Sequence, residues 1–221
     1  MDIKTHYDLL IEENNDAFRD PPALRKHMGA NTMAQDVSLY HGSIMKGLSI
    51  ILANAKSHAD GREVAYFTTD RVYALICCRS RAENFVTMGL KDGIQHYYER
   101  FPDQLKVMYE GREGFLYRPV SNVRLVNTIG HTWESHADVP VVLHEHIPDI
   151  YAEICREETA GNVIIHRYHE IDPDEQKMHA NYLRDHLDEP LYDEYRDFIS
   201  RHFSSLWDEP YSGFPGQPEV T

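Results

Sequence analysis

A chain of 221 residues with 42% hydrophobic and 26% charged residues has ordinary globular composition, and it is long enough to bury a core without disulfides or metals. Its net charge of −14 argues against sequence-independent binding to phosphate backbones, because an acidic surface repels the polyanion. Three cysteines, Cys77, Cys78 and Cys155, form neither a disulfide framework nor a CxxC pair, which favours the cytoplasm. No stretch approaches the roughly 18 apolar residues of a membrane span. The opening residues "MDIKTHYDLLIEENNDAF" lack the basic-then-apolar order of a cleaved signal.

Residues 5–19 carry a helical pattern (Tyr7, Leu10, Ile11, Phe18) stopped by Pro21 and Pro22. Residues 1–36 therefore read as an N-terminal helical extension. "VSLYHG" (37–42) reads as a strand, and "GSIMKGLSIILANA" reads as a turn and short helix. Asp60-Gly61 turns the chain into a second strand, "EVAYFTT". In "TTDRVYALICC", Thr69 or Asp70 caps a helix whose Val72, Leu75 and Ile76 share one buried face.

Residues 80–113 are rich in aromatics and charge and receive no assignment. "GFLYRPV", "VRLVNT" and "DVPVVLHEH" read as strands. Pro148 opens a helix in which Ile147, Ile150, Tyr151 and Ile154 fall at i, i+3, i+4 and i+7, and which ends near Gly161. "NVIIHRY" is a further strand. Residues 171–221 hold acidic helices over 173–206, broken at Pro190, with Leu191, Tyr195, Phe198 and His202 on one side. A Pro/Gly-rich end, expected to be mobile, follows. Strands joined mainly by loops rather than by long crossover helices predict an α+β fold with a mixed or mainly antiparallel sheet.

Two short stretches draw chemical interest: "LYHGS" at 39–43 and "VAYFTT" at 64–69. Taken together they resemble the NAD-binding half of the ADP-ribosyltransferases of the diphtheria-toxin and poly(ADP-ribose) polymerase type, known by a His-Tyr-Glu signature. The order Tyr-His-Gly, then Gly-Leu, then Tyr-Phe-Thr entering a helix is similar to that of small bacterial rifampin ADP-ribosyltransferases. The resemblance covers about 40 residues strongly and continues loosely to residue 170; each short motif alone is weak, and their order and spacing together carry it.

The resemblance implies a split mixed or antiparallel sheet over 37–170 with flanking helices, and NAD as a substrate. It implies His41 and Tyr66 as the first two signature residues, with Gly42, Ser43 and Thr68 beside the NAD pocket. Breaking the nicotinamide–ribose bond needs a preorganised pose and a negative group facing an oxocarbenium-like transition state. His41 would meet a ribose hydroxyl as a ring donor, Gly42 would offer an open backbone edge to the nicotinamide amide, and Tyr66 would give the nicotinamide ring a stacking face.

Glu134, before the apolar run of "HTWESHADVPVV", is the expected acid. Glu99, Glu110 and Glu113 compete, because in the rifampin-modifying enzymes the acid lies nearer the tyrosine. The acceptor would be a protein, a nucleic acid or a small molecule, chosen by loops at 80–113 and 120–132, and the biological role that of a bacterial toxin, defence factor or drug-modifying enzyme. The alternatives are a non-catalytic binding module of the same fold, or an RNA 2′-phosphotransferase-like enzyme, which needs clustered basic groups that this chain has few of.

Each residue also has a plainer reading. His41 alone is a packed strand residue, Tyr66 a core aromatic and Glu134 a solvated strand end. His144 and His146 share a strand face by alternation, with His166 and His169 nearby, but neither H-E-x-x-H nor zinc-like cysteine spacing accompanies them, so no metal is expected. The acidic tail reads most simply as helices with an aromatic face on the core, and otherwise as a docking surface for an antitoxin or a second copy of the chain.

Overall fold

A computed structural model describes residues 37–57, 61–79, 86–120, 123–188 and 195–208. The expected N-terminal helix at 5–19, the break at Pro190, Leu191 and the Pro/Gly-rich end lie outside the described residues.

In chain order the elements are β1 (His41–Ser43), β2 (Ile50–Ile51), β3 (Ala55–Lys56), β4 (Glu63–Thr68), α1 (Arg71–Ile76), β5 (Thr87–Lys91), β6 (Ile94–Tyr98) and α2 (Gln104–Tyr109). They continue with β7 (Gly114–Pro119), β8 (Val126–Ile129), β9 (Thr132–Ser135), β10 (Val139–Ile147), α3 (Ile150–Thr159), β11 (Val163–His166), α4 (Pro173–Asp185) and α5 (Arg196–Phe203). Among the described residues these strands form three sheets, with orders β1-β7-β10-β2, β3-β4-β9-β8 and β11-β6-β5. Every pairing is antiparallel except β11 with β6. The fold is α+β, as the sequence predicts.

One expected element is replaced. Residues 43–54 form no helix: Ile50 and Ile51 instead pair with Pro140 and Val139 as an edge strand. Gly47 sits at φ +77, a conformation that interrupts a helix, and Ile51 gains burial beside Val139 in an apolar cluster. The unassigned 80–113 region, described from residue 86, contains the β5–β6 hairpin and α2. Asp92 and Gly93 both have positive φ, the turn that matches strand twist in a two-residue hairpin.

Two apolar clusters lie on opposite faces of the β1-β7-β10-β2 sheet. Phe115 and Tyr117 of β7 face a cluster containing Ala65 and Phe67 of β4 and Trp133 of β9, so this cluster joins two sheets. Leu116, between them, faces the other cluster with Val72, Leu75 and Ile76 of α1 and Ile150 and Ile154 of α3. The alternation of β7 thus feeds both cores.

β10 also feeds both cores, Val139 and Val141 one and Ile147 the other, and between them its register shifts at Leu143/Glu145. That bulge puts Glu145 opposite Leu116, on the helix side, where it takes Arg71 as a bidentate partner at 2.7 and 3.0 Å. Arg71 also binds Glu153 at 2.7 Å and Glu157, both on α3. The first residue of α1 is therefore tied to β10 and α3 together, and its guanidinium holds the Glu145 carboxyl below the usual range.

The terminal helices close the larger cluster. His179 of α4 is 4% exposed, and burial, reinforced by Arg100, lowers its pKa to about 3. The unfolded chain takes up this proton near pH 6.5 while the folded chain refuses it. Stability from this group is complete above pH 6.5 and falls with pH toward 3, by up to about 1.4 kcal/mol per unit. His179→Gln is expected to flatten the fall in melting temperature between pH 6.5 and 4. An unchanged acid limb would assign the fall to other groups.

Candidate functional site

The site is built where β4 leaves its sheet and enters α1. Thr68 Oγ1 accepts from Asp70 N–H at 3.0 Å, and Asp70, the cap of α1, accepts from Tyr73 N–H at 3.0 Å. Thr69 N–H donates to the His131 carbonyl at 2.9 Å, which ties this turn to the β8–β9 hairpin. The exit is thus rigid by local hydrogen bonding.

On β4, Tyr66 stands opposite Glu134 of β9. Directly opposed residues of an antiparallel pair project from the same face, with Cβ atoms about 5 Å apart. The tyrosine ring and the carboxylate are therefore neighbours across one sheet. Tyr66 Oη donates to the Lys56 carbonyl at 2.7 Å. Glu134 is 5% exposed; its Oε2 accepts from Ser57 Oγ at 2.8 Å and its Oε1 from Thr128 Oγ1 at 3.2 Å. No Lys or Arg pairs with Glu134 among the described residues.

His41 lies on the adjoining strand, since Tyr40 and Thr68 exchange backbone hydrogen bonds at 2.8 and 2.9 Å. Its Nδ1 is 2.8 Å from the Tyr66 carbonyl, and its ring lies 5.7 Å from that of Phe67. A carbonyl only accepts, so Nδ1 carries the proton. Burial lowers the His41 pKa against the opposing pull of that carbonyl, so the ring is neutral near pH 7 and Nε2 is an acceptor. This reverses the sequence expectation of a ring donor: a ribose hydroxyl would donate to Nε2.

Gly42 carries a packing role that the sequence does not announce. A Cβ there would lie 1.8 Å from the Ala74 carbonyl oxygen and 3.0 Å from Cys78 Sγ, so α1 rests directly on β1 at this glycine. Ser43 Oγ accepts from Met45 N–H at 3.0 Å, and Thr68 is buried with its hydroxyl at the α1 cap. These two expected pocket residues shape the ends of β1 and β4.

The competing acids stand on other elements. Glu99 is buried, with one oxygen accepting from Leu105 N–H and the other from Tyr168 N–H, both at 3.0 Å. Glu110 follows α2 and pairs with Lys106 at 3.7 Å, while Glu113 lies 3.5 Å from His146. Of the four, Glu134 is the one opposite Tyr66.

Four residues beyond those expected from the sequence join the site. Ser57 and Thr128 hold Glu134, as above. Tyr73 of α1 meets the His131 ring at 4.6 Å; its phenol pKa is raised by Cys77 and by burial, with Tyr66 also contributing. Burial lowers the His131 pKa, and its Nδ1 is buried without a partner among the described residues. Tyr73 falls seven residues after Tyr66 in a recognisable helix, a readable signal; Ser57, Thr128 and His131 are brought in by sheet pairing alone.

The histidines at 144–146 do not share a face as alternation predicts. His144 is the residue that the β10 register skips and turns toward Tyr40, while His146 stacks on Phe115 at 5.0 Å. Elsewhere, His96 Nδ1 and His166 Nε2 approach to 2.9 Å. A cavity of about 430 Å³ is lined by residues including Glu99, Lys106, Tyr151, Arg167 and Tyr168, and not by His41, Tyr66 or Glu134. No helix among the described residues is long and apolar enough to cross a membrane. Comparison with family models, with curated proteins and with solved structures finds no match to this chain.

Proposed function

We propose that the chain is an NAD-dependent mono-ADP-ribosyltransferase, with an α+β core of the ADP-ribosyltransferase type. The observation that carries the reading is the convergence of His41, Tyr66 and Glu134: Tyr66 and Glu134 are paired across β4 and β9, and the His41 ring is hydrogen-bonded to the Tyr66 carbonyl. In the reaction the C–N bond between nicotinamide and ribose C1′ breaks, and its electron pair leaves on neutral nicotinamide. An acceptor nucleophile bonds to C1′ and yields its proton to solvent.

In this reading neutral His41 accepts a ribose hydroxyl at Nε2, and Tyr66 supplies an aromatic face to the nicotinamide ring. The Glu134 carboxylate lowers the energy of the developing positive charge. Water serves as a slow acceptor, so nicotinamide release from NAD by the purified chain tests the class without knowledge of the natural acceptor.

Tyr66→Ala is expected to weaken NAD binding about tenfold, the loss of one ring stack together with its buried area. The melting temperature should stay within a few degrees, because the ring lies outside both apolar clusters. Tyr66→Phe should bind almost as wild type. Calorimetric titration beside thermal melts checks both, and equal NAD affinity in Tyr66→Ala and wild type would remove Tyr66 from the pocket.

A second reading, a non-catalytic binding module, is favoured by one fact: both Glu134 oxygens already accept hydrogen bonds. It requires NAD to remain intact in the presence of the chain.

A further inference from the structure

A carboxylate in the middle of a strand and 5% exposed is costly unless its charge is satisfied. The usual device is an Arg or Lys, which this chain uses for Glu145, Glu153 and Glu157 around Arg71. Glu134 is treated differently. Two neutral hydroxyls hold it, one on each oxygen, and an ionised carboxylate with about four acceptor sites keeps room for further contacts. Among the described residues the group is oriented by hydroxyls and met by no cation.

Ser57 is itself fixed. It is 5% exposed, its N–H donates to the Arg62 carbonyl at 2.8 Å, and its carbonyl accepts from Gly61 N–H at 2.9 Å. The preceding residue, Lys56, presents the carbonyl that accepts the Tyr66 phenol at 2.7 Å. The Lys56-Ser57 dipeptide at the end of β3 therefore grips both the ring and the acid of the β4–β9 pair from one side.

We propose that Ser57 is a positioning residue for the Glu134 carboxylate, directing an unneutralised charge at the reacting sugar while β3 sets the ring beside it; the proposal rests on the transferase reading above. Ser57 acts through Glu134 and need not touch substrate.

The test measures kcat and KM for nicotinamide release, with melting temperatures, in wild type, Ser57→Ala, Ser57→Thr, Glu134→Gln and the Ser57→Ala/Glu134→Gln double variant. The loss of one hydrogen bond to a charged group corresponds to about 10- to 100-fold in rate. Ser57→Ala should lose kcat by about that factor with KM little changed, and Ser57→Thr should recover most of it. In the Glu134→Gln background Ser57→Ala should cost little more. Wild-type kcat in Ser57→Ala beside an inactive Glu134→Gln overturns the positioning role and leaves the transferase reading intact. So do losses that simply add in the double variant, or a Ser57→Ala loss that Ser57→Thr does not rescue. Absence of nicotinamide release by wild type overturns both.

Discussion

Glu134→Gln is expected to lower kcat for nicotinamide release by about 10²–10³-fold while KM for NAD stays within a few-fold, as for the loss of one preorganised electrostatic group felt mainly in the transition state. The surroundings make this substitution unusually clean. Ser57 and Thr128 hold the carboxylate through hydroxyls, which both donate and accept. The hydroxyl that comes to face the new amide NH2 can rotate and accept, so the strand pairing should survive and the melting temperature should move little.

Glu99 provides the contrast. Its two oxygens accept from the backbone N–H groups of Leu105 and Tyr168, and a backbone donor cannot become an acceptor. Glu99→Gln should therefore set an amide NH2 against an N–H and lower stability by about 1–3 kcal/mol. Glu110→Gln and Glu113→Gln, at side chains 56% and 59% exposed, should do little to either quantity. Steady-state kinetics and thermal melts on the four variants decide the assignment. Full kcat in Glu134→Gln with loss in one of the others would move the acid; full kcat in all four active variants would remove it.

Gly42→Ala should be the most destabilising single-methyl change near the site. The new Cβ would lie 1.8 Å from the Ala74 carbonyl oxygen, which belongs to the backbone of α1 and cannot rotate aside. Either α1 lifts from β1 or the strand bends, and overpacking of this kind costs about 1–3 kcal/mol and sometimes more. For a protein of this size that corresponds to a fall of roughly 2–12 °C in melting temperature. The lift would also move Tyr73, whose ring α1 sets against that of His131. Ser43→Ala, one residue on, removes only an exposed hydroxyl contact to Met45 N–H and serves as the control. A Gly42→Ala melt equal to wild type would show that α1 is free to shift; lost NAD affinity at an unchanged melt would assign Gly42 to the ligand rather than to packing.

Much of the architecture is legible in the sequence because it is written in local patterns. The period of Val72, Leu75 and Ile76, the cap at Asp70 and the isoleucine face of α3 each express a preference of a few neighbouring residues. So does the α+β class, which follows from strands punctuated by turns. Asp92-Gly93 was an equally local hairpin signal, masked by the aromatic and charged residues around it. Residues 43–54 misled for the opposite reason. Their apolar spacing suits a short helix, but Ile51 finds its burial only against Val139, and no local pattern contains that partner.

The candidate site divides in the same way. The residue types at 41, 66 and 134 can be named from sequence because a histidine-glycine strand, a tyrosine strand and an acid before an apolar run are each visible alone. That Tyr66 and Glu134 stand face to face depends on the register of β4 with β9, and a slip of one residue would send either side chain to the opposite face. The tertiary structure likewise decides that His41 is an acceptor, because its tautomer is set by the carbonyl of Tyr66. It decides that Gly42 is a packing contact, because that depends on where α1 lands. And it alone brings Ser57 and Thr128 to Glu134: a hydrogen bond across 77 residues leaves no trace in the chain between them.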